Sequence, residues 1–300
     1  MADTAKSKGL PLFEAARAMG ISFKEEVAPI SREVTANGLR FNYLDWGSEG
    51  KPPLVLMHGA FQTAHSWDFT ALALRDQFHV RALDARGHGD SDWASDGDYS
   101  HDAMQQDLDA IFPALGLDRF ILVGLSMGGR NAMLYTSRHP ETVAQLVVVD
   151  IGPETQQKGK QNIARFVSGS REGPFEEFLE RAHQYNPRRP LEQLRGSLLN
   201  NLRELPNGNW TWKYDARMRD RFQGTTASNE HLEEAIAAIQ CPTLIVRGEV
   251  SDVLSADAAE RMQQMIPSSQ LVSIPRAGHL VPGDNPVDFI QAVKKFIASP

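Results

Sequence analysis

A single cysteine in 300 residues, Cys241, leaves this chain unable to form an internal disulfide. Its setting, "IQCPTLIV", suits a small apolar residue at the mouth of a buried strand. No apolar run approaches the roughly 18 residues of a membrane span, so no membrane partner is expected. The first residues, "MADTAKSKGLPLFEAARAMG", have no continuous apolar stretch beside a small-residue cleavage site. No secretory signal is therefore expected, the expected location is cytoplasmic, and the Asn209-Trp210-Thr211 sequon reads as a chance match. Basic charge is short as well: 31 Lys and Arg stand against 38 Asp and Glu, a net of -7. That balance argues against nucleic acid or an anionic membrane as a standing partner. Metal-ligand clusters, Gly-rich phosphate loops and nucleotide motifs are missing too, and no cofactor is expected.

What is present is an alternation. Short apolar runs recur at 53–57, 78–84, 119–124, 143–150, 243–248 and 271–275, and stretches of helical length follow most of them. Strands buried on both faces and alternating with helices predict a mainly parallel central sheet covered by helices on both sides, an α/β fold. Ahead of them, Asn37-Gly38 between two alternating runs predicts a hairpin and an antiparallel edge. Helices are expected near 66–75, 101–115, 127–138, 255–266 and 286–298.

Between Asp150 and Cys241 the rhythm stops, and helical patterns such as "PFEEFLERAHQY" and "LEQLRGSLLNNL" replace it. A helical insertion after the sixth strand would cover the carboxyl ends of the strands, where open α/β sheets bind ligands. The expected organisation is an N-terminal arm (1–30), a core (31–150 and 231–300) and a helical cap (151–230). The arm's short amphipathic helix suits packing on the body or on a neighbouring subunit, which leaves a homo-oligomer open.

"FILVGLSMGGRN" holds Ser126 between Gly124 and the pair Gly128-Gly129, with a strand pattern before it and a helix pattern after it. Small residues on both sides relieve the clashes of a sharp strand-to-helix turn, and the turn displays the hydroxyl at the positive end of the helix. This G-x-S-x-G pattern predicts a nucleophile, which needs a base within hydrogen-bond reach and an acid to orient that base. His279, in "AGHLVPGDNP" after the last strand, is the expected base. Asp252, in "RGEVSDVLS", is the expected acid, because it follows a strand end and keeps the chain order Ser, Asp, His. Asp150 and Glu249 are its rivals. Oxyanion donors are expected from the Met127 N–H and, in "HGAF", from Ala60, with Phe61 the alternative. Substrate contacts are expected from Phe61 and the cap residues Trp210, Trp212 and Met218, which offer aromatic and soft apolar surface. The cap arginines, the pair Arg188-Arg189 among them, read chiefly as solvated faces, and alternatively as carboxylate binders that would favour a lactone or dioate.

In order and spacing, "HGAF", "ALDARGHGDSD", "GLSMGG", "VVVDIGP", "RGEVSDVL" and "AGHLVPGDNP" resemble the capped branch of the α/β-hydrolase superfamily, over nearly the whole chain after residue 30. The resemblance implies hydrolysis of small apolar or aryl carboxylic esters through an acyl-enzyme, with a small-molecule ester or lactone as partner. It places Asp84, Arg86, Gly87, His88 and Gly89 in a loop that shapes the site. Members that open halides or epoxides carry aspartate where this chain has Ser126, dienelactone hydrolases carry cysteine there, and carbon–carbon hydrolases commonly have asparagine where this chain has Leu125. Enol-lactonases can share "GLSMGG"; an enol-lactonase or a carbon–carbon bond hydrolase is the alternative expectation, followed by an acyltransferase and a ligand-binding protein without catalysis.

Overall fold

A computed structural model describes residues 10–219 and 230–298. The first nine positions of the expected arm, and 220–229 at the end of the expected cap, lie outside the described residues.

The central sheet has eight strands: β1 (Ile30–Ala36), β2 (Leu39–Asp45), β3 (Pro53–Met57), β4 (His79–Leu83), β5 (Phe120–Leu125), β6 (Val143–Val149), β10 (Thr243–Gly248) and β11 (Ser269–Ile274). Their order is β1-β2-β4-β3-β5-β6-β10-β11. Only β1 with β2 and β2 with β4 pair antiparallel; the other neighbours are parallel. The hairpin at the edge turns through Asn37 and Gly38, both at positive φ, as a tight hairpin between right-twisted strands requires.

The pleat explains why the central runs are apolar throughout. Leu54 and Leu56 of β3 enter one core layer while Val55 and Met57 enter the other. In β5, Ile121, Val123 and Leu125 likewise oppose Phe120 and Leu122. Each layer is closed by helices: the first by α1 (Leu12–Ala18), α2 (Asp68–Leu74), the short α10 (Val281–Asp284) and α11 (Pro286–Ile297), the second by α3 (His101–Ala114), α4 (Met127–Arg138), α8 (Glu230–Ala237) and α9 (Ala256–Met265). Ser100, Ser255 and Asn285 cap α3, α9 and α11 by accepting a backbone N–H three residues on, which sets where those helices begin. No helix of the described residues is long and apolar enough to cross a membrane.

After β6 come α5 (Gln157–Val167), α6 (Phe175–Tyr185) and α7 (Leu191–Asn201), around a third apolar cluster that includes Phe178, Leu194, Leu198 and Trp212. Contrary to the helical insertion expected from sequence, the segment is not purely helical. Three short strands, β7 (Glu172–Gly173), β8 (Leu202–Glu204) and β9 (Trp210–Trp212), form an antiparallel sheet in the order β7-β9-β8. Runs of two or three residues are too short to show a period of two, so sequence periodicity could not register them.

Candidate active site

Ser126 follows β5 without a linking residue and precedes α4 directly, at φ 52° and ψ -114°. Such a backbone costs on the order of 1–3 kcal/mol and persists only where its surroundings hold it. Those surroundings are close contacts of main chain. A Cβ on Gly124 would lie 2.4 Å from the Gly128 carbonyl oxygen, and one on Gly128 would lie 2.3 Å from that of Met57 and 2.7 Å from that of His58. The elbow is thus pressed against the end of β3, and the Gly128 N–H donates to the His58 carbonyl at 3.2 Å. Gly128→Ala is expected to destabilise the fold by about 3 kcal/mol or more, since backbone rather than a flexible side chain blocks the added methyl. A thermal melt checks this, with a fall of several degrees expected; an unchanged midpoint contradicts the packing argument.

His279, on the loop after β11, meets Ser126 through its Nε2, 3.1 Å from Oγ. Its Nδ1 lies 2.9 Å from Asp150 Oδ2. A carboxylate beside Nδ1 can only accept, so Nδ1 carries the proton and Nε2 presents its lone pair to the serine hydroxyl. Asp150 is fully buried at the end of β6 and itself sits at φ 52°. Its other contacts are the Gly248 N–H, donating to Oδ1 at 2.9 Å, and the Ser251 hydroxyl, donating to Oδ2 at 2.5 Å. Three donors therefore fix the orientation of this one buried carboxylate.

The structure thus sets Asp150 against His279, and not Asp252, the acid expected from sequence. The Asp252 carboxylate accepts from Asn162 Nδ2 of α5 at 2.6 Å and joins that helix to the loop after β10. That loop does reach the site, but through its preceding residue: Ser251 turns inward to Asp150, and Asp252, one position on, turns away. Glu249 accepts from the Arg276 N–H at 2.9 Å and is also turned away from the ring.

The loop after β3, from which an oxyanion donor is expected by sequence, reaches Ser126. A Cβ on Gly59 would come within 3.4 Å of Ser126 Cβ, so this loop runs directly over Ser126. Among the described residues, neither the Ala60 nor the Met127 N–H has a hydrogen-bond acceptor. The Phe61 N–H is taken, donating to His88 Nε2 at 3.1 Å, which removes Phe61 as the alternative donor. His58 and His88 hold the loop from behind. His88 Nδ1 donates to the Arg86 carbonyl at 2.9 Å and His58 Nδ1 to that of Gly59 at 2.7 Å, while the Ala85 N–H donates to His58 Nε2 at 3.1 Å. Burial lowers the pKa of both rings, His88 down to about 3, so both stay neutral and each joins one backbone donor to one backbone acceptor. Asp84 accepts from the Ala64 N–H (2.7 Å), Asn42 Nδ2 (2.8 Å) and the Asp90 N–H (3.1 Å), and Arg86 pairs with Asp107 in the interior. Phe61, Ser126 and Asp150 are three of the six non-glycine residues at positive φ among those described. Their concentration at one place marks a site where geometry is held against local preference.

Ser126 and His279 open into a cavity of about 620 Å³. Phe61 and Trp212 line it, with Leu125, Ile163, Phe166 and Leu198. Trp210 and Met218, expected there from sequence, do not. Trp210 packs on Phe175, with ring centroids 5.2 Å apart, and Met218 is buried in the cap cluster. One wall had no chemistry assigned to it from sequence: Leu12, Ala15 and Ala18 of α1, with Met19, face the same cavity. The amphipathic pattern of α1 was legible, but the partner of its apolar face was not.

Residues 52–286 match the family model described as the alpha/beta hydrolase fold. The chain is 32% identical over 260 residues to esterase Rv0045c of Mycobacterium tuberculosis, covering 84% of each. The crystal structure of that esterase superposes with a TM-score of 0.78 and 28% identity over 96% of both chains. Identity to the sn-1-specific diacylglycerol lipase ABHD11 of Mus musculus is 32% over 272 residues, 87% of this chain and 85% of the lipase. Identity to the 2-(acetamidomethylene)succinate hydrolase of Mesorhizobium japonicum is 28% over 273 residues, 89% and 95% of the two chains.

Proposed function

The chain belongs to the α/β-hydrolase family, and from that premise we propose that it is a serine hydrolase of carboxylic esters in which Ser126 is the nucleophile, His279 the general base and Asp150 the acid. One observation carries the reading. A single imidazole spans the serine hydroxyl and a buried carboxylate, at 3.1 and 2.9 Å. The esterase and lipase among its relatives support it.

His279 takes the Ser126 proton as Oγ attacks the ester carbonyl. The Ala60 and Met127 N–H groups receive the developing oxyanion, each contributing on the order of 3 kcal/mol. The imidazolium, stabilised by Asp150, then gives its proton to the departing alcohol, and water repeats the sequence on the acyl-enzyme. The largely apolar cavity favours small or medium acyl chains and aryl groups. The division into arm, cap and core, a small-molecule partner and a cytoplasmic location belong to the same proposal.

A fluorophosphonate, which phosphonylates an activated serine, tests it. The expected result is one adduct on the peptide bearing Ser126, with parallel loss of nitrophenyl-ester turnover. An unlabelled Ser126 in an enzyme that still turns over overturns the assignment.

A further inference from the structure

The loop between α6 and α7 sets two arginines on the segment that carries His279. A Cβ on Gly278 would lie 2.2 Å from Arg188 Nη2, and one on Gly283 would lie 3.0 Å from Arg189 Nη1. Both guanidinium groups thus occupy room left by missing side chains beside the catalytic loop. Their electrostatic situations differ. Asp284, whose side chain is fully buried, accepts from the Gly278 N–H at 2.8 Å and from Asn186 Nδ2 at 2.6 Å, and pairs with Arg188 at 3.4 Å. One carboxylate is therefore matched by one arginine, and a positive charge is left over.

That charge is Arg189, which lines the cavity shared by Ser126 and His279. Its Nη2 donates to Ser197 Oγ at 2.9 Å. Its Nε, buried from solvent, has no hydrogen-bond acceptor among the described residues, and no carboxylate among them lies within ion-pair distance. Burial lowers the guanidinium's pKa from its ordinary value, with only partial relief from the Asp284 charge. The charged form is being held at a cost, and a half-buried cation without its own counter-ion calls for one from outside. Glu192 also lines the cavity, at its exposed side, and forms no ion pair with Arg189.

We propose that Arg189, together with the Ser197 hydroxyl, receives a carboxylate at the far end of the substrate, so that the preferred esters are half-esters of dicarboxylic acids with an apolar spacer. The planar fork of a guanidinium matches a carboxylate at two points, and a serine hydroxyl beside it has its own O–H to offer. The apolar walls between Arg189 and Ser126 take the spacer. This assignment rests on the ester-hydrolase reading for its reaction, though not for its binding.

The test compares 4-nitrophenyl half-esters of adipic and suberic acids with the same compounds methylated on the free carboxylate, using the full chain. The wild type is expected to favour the half-ester by at least about tenfold in kcat/KM, mainly through KM. Arg189→Gln is expected to bring that ratio to about one, a loss consistent with one charged hydrogen-bonding pair. Arg189→Lys, which keeps the charge without the fork, serves if the Gln variant fails to fold, and an intermediate ratio is expected of it. Equal rates for the two esters in the wild type, or a ratio unmoved by substitution, overturns the proposal. If neither ester is cleaved, the ester-hydrolase reading fails and calorimetry with adipate and suberate decides the subsite alone. Saturable binding that is lost in Arg189→Gln supports it, and no binding by the wild type overturns it.

Discussion

Ser126→Ala is expected to lower kcat on a short-chain nitrophenyl ester by about four to six orders of magnitude. The alanine keeps the elbow's shape, since the residue is held by its backbone: its N–H donates to Val149 and its carbonyl accepts from Arg130. What disappears is the oxygen 3.1 Å from His279 Nε2, and with it the acyl-enzyme route. The oxyanion donors stay, so a residual rate above that in water is expected rather than none. Initial rates at saturating ester, with circular dichroism to confirm the fold, check this. Retention of even a tenth of the wild-type rate sinks Ser126 as the nucleophile.

Asp150→Asn is expected to cost about four orders of magnitude in kcat, and Asp252→Asn less than about twofold. At position 150 the carboxylate oxygens accept from Gly248, Ser251 and His279 at once. An amide offers only one accepting oxygen. If that oxygen keeps Ser251, its NH₂ meets the Gly248 N–H; if the amide flips, its NH₂ faces the imidazole and drives Nδ1 to the acceptor tautomer. Nε2 then carries the proton and cannot take another from Ser126. Position 252, by contrast, binds Asn162 on the cap and touches no part of the imidazole relay. Parallel kcat measurements on the two variants decide between them. A large loss at 252 with a small one at 150 would restore the acid expected from sequence.

The two acids show where reading the chain stopped. Both Asp150 and Asp252 follow parallel strands, both lie between Ser126 and His279 in chain order, and spacing could not separate them. β6 and β10 are adjacent, so the ends of both reach the same place. The choice was made by the positive φ at Asp150, which turns its carboxylate toward the ring, and by the turn after β10, which aims Ser251 inward and Asp252 outward. Neither turn has a signature in residue type. Arg189 makes the same point: its charge was legible, and the surface of a helical insertion is where such charges usually meet water. Only packing onto Gly283 showed that this one is half-buried on the wall of the cavity.

The sequence by itself determined the sheet, the elbow at Ser126, the placing of His279 after the last strand and that of the "HGA" loop after β3, because each rests on local physics. Strands buried on both faces need apolar residues at every position, a sharp turn pressed against neighbouring main chain needs glycine, and "HGA" needs only to follow a strand end. The tertiary structure alone decided which carboxylate meets His279, which cap aromatics reach the cavity, and that α1 forms part of its wall. Those outcomes depend on backbone direction at single residues and on the meeting of segments far apart in the chain, and neither leaves a periodic trace along the chain.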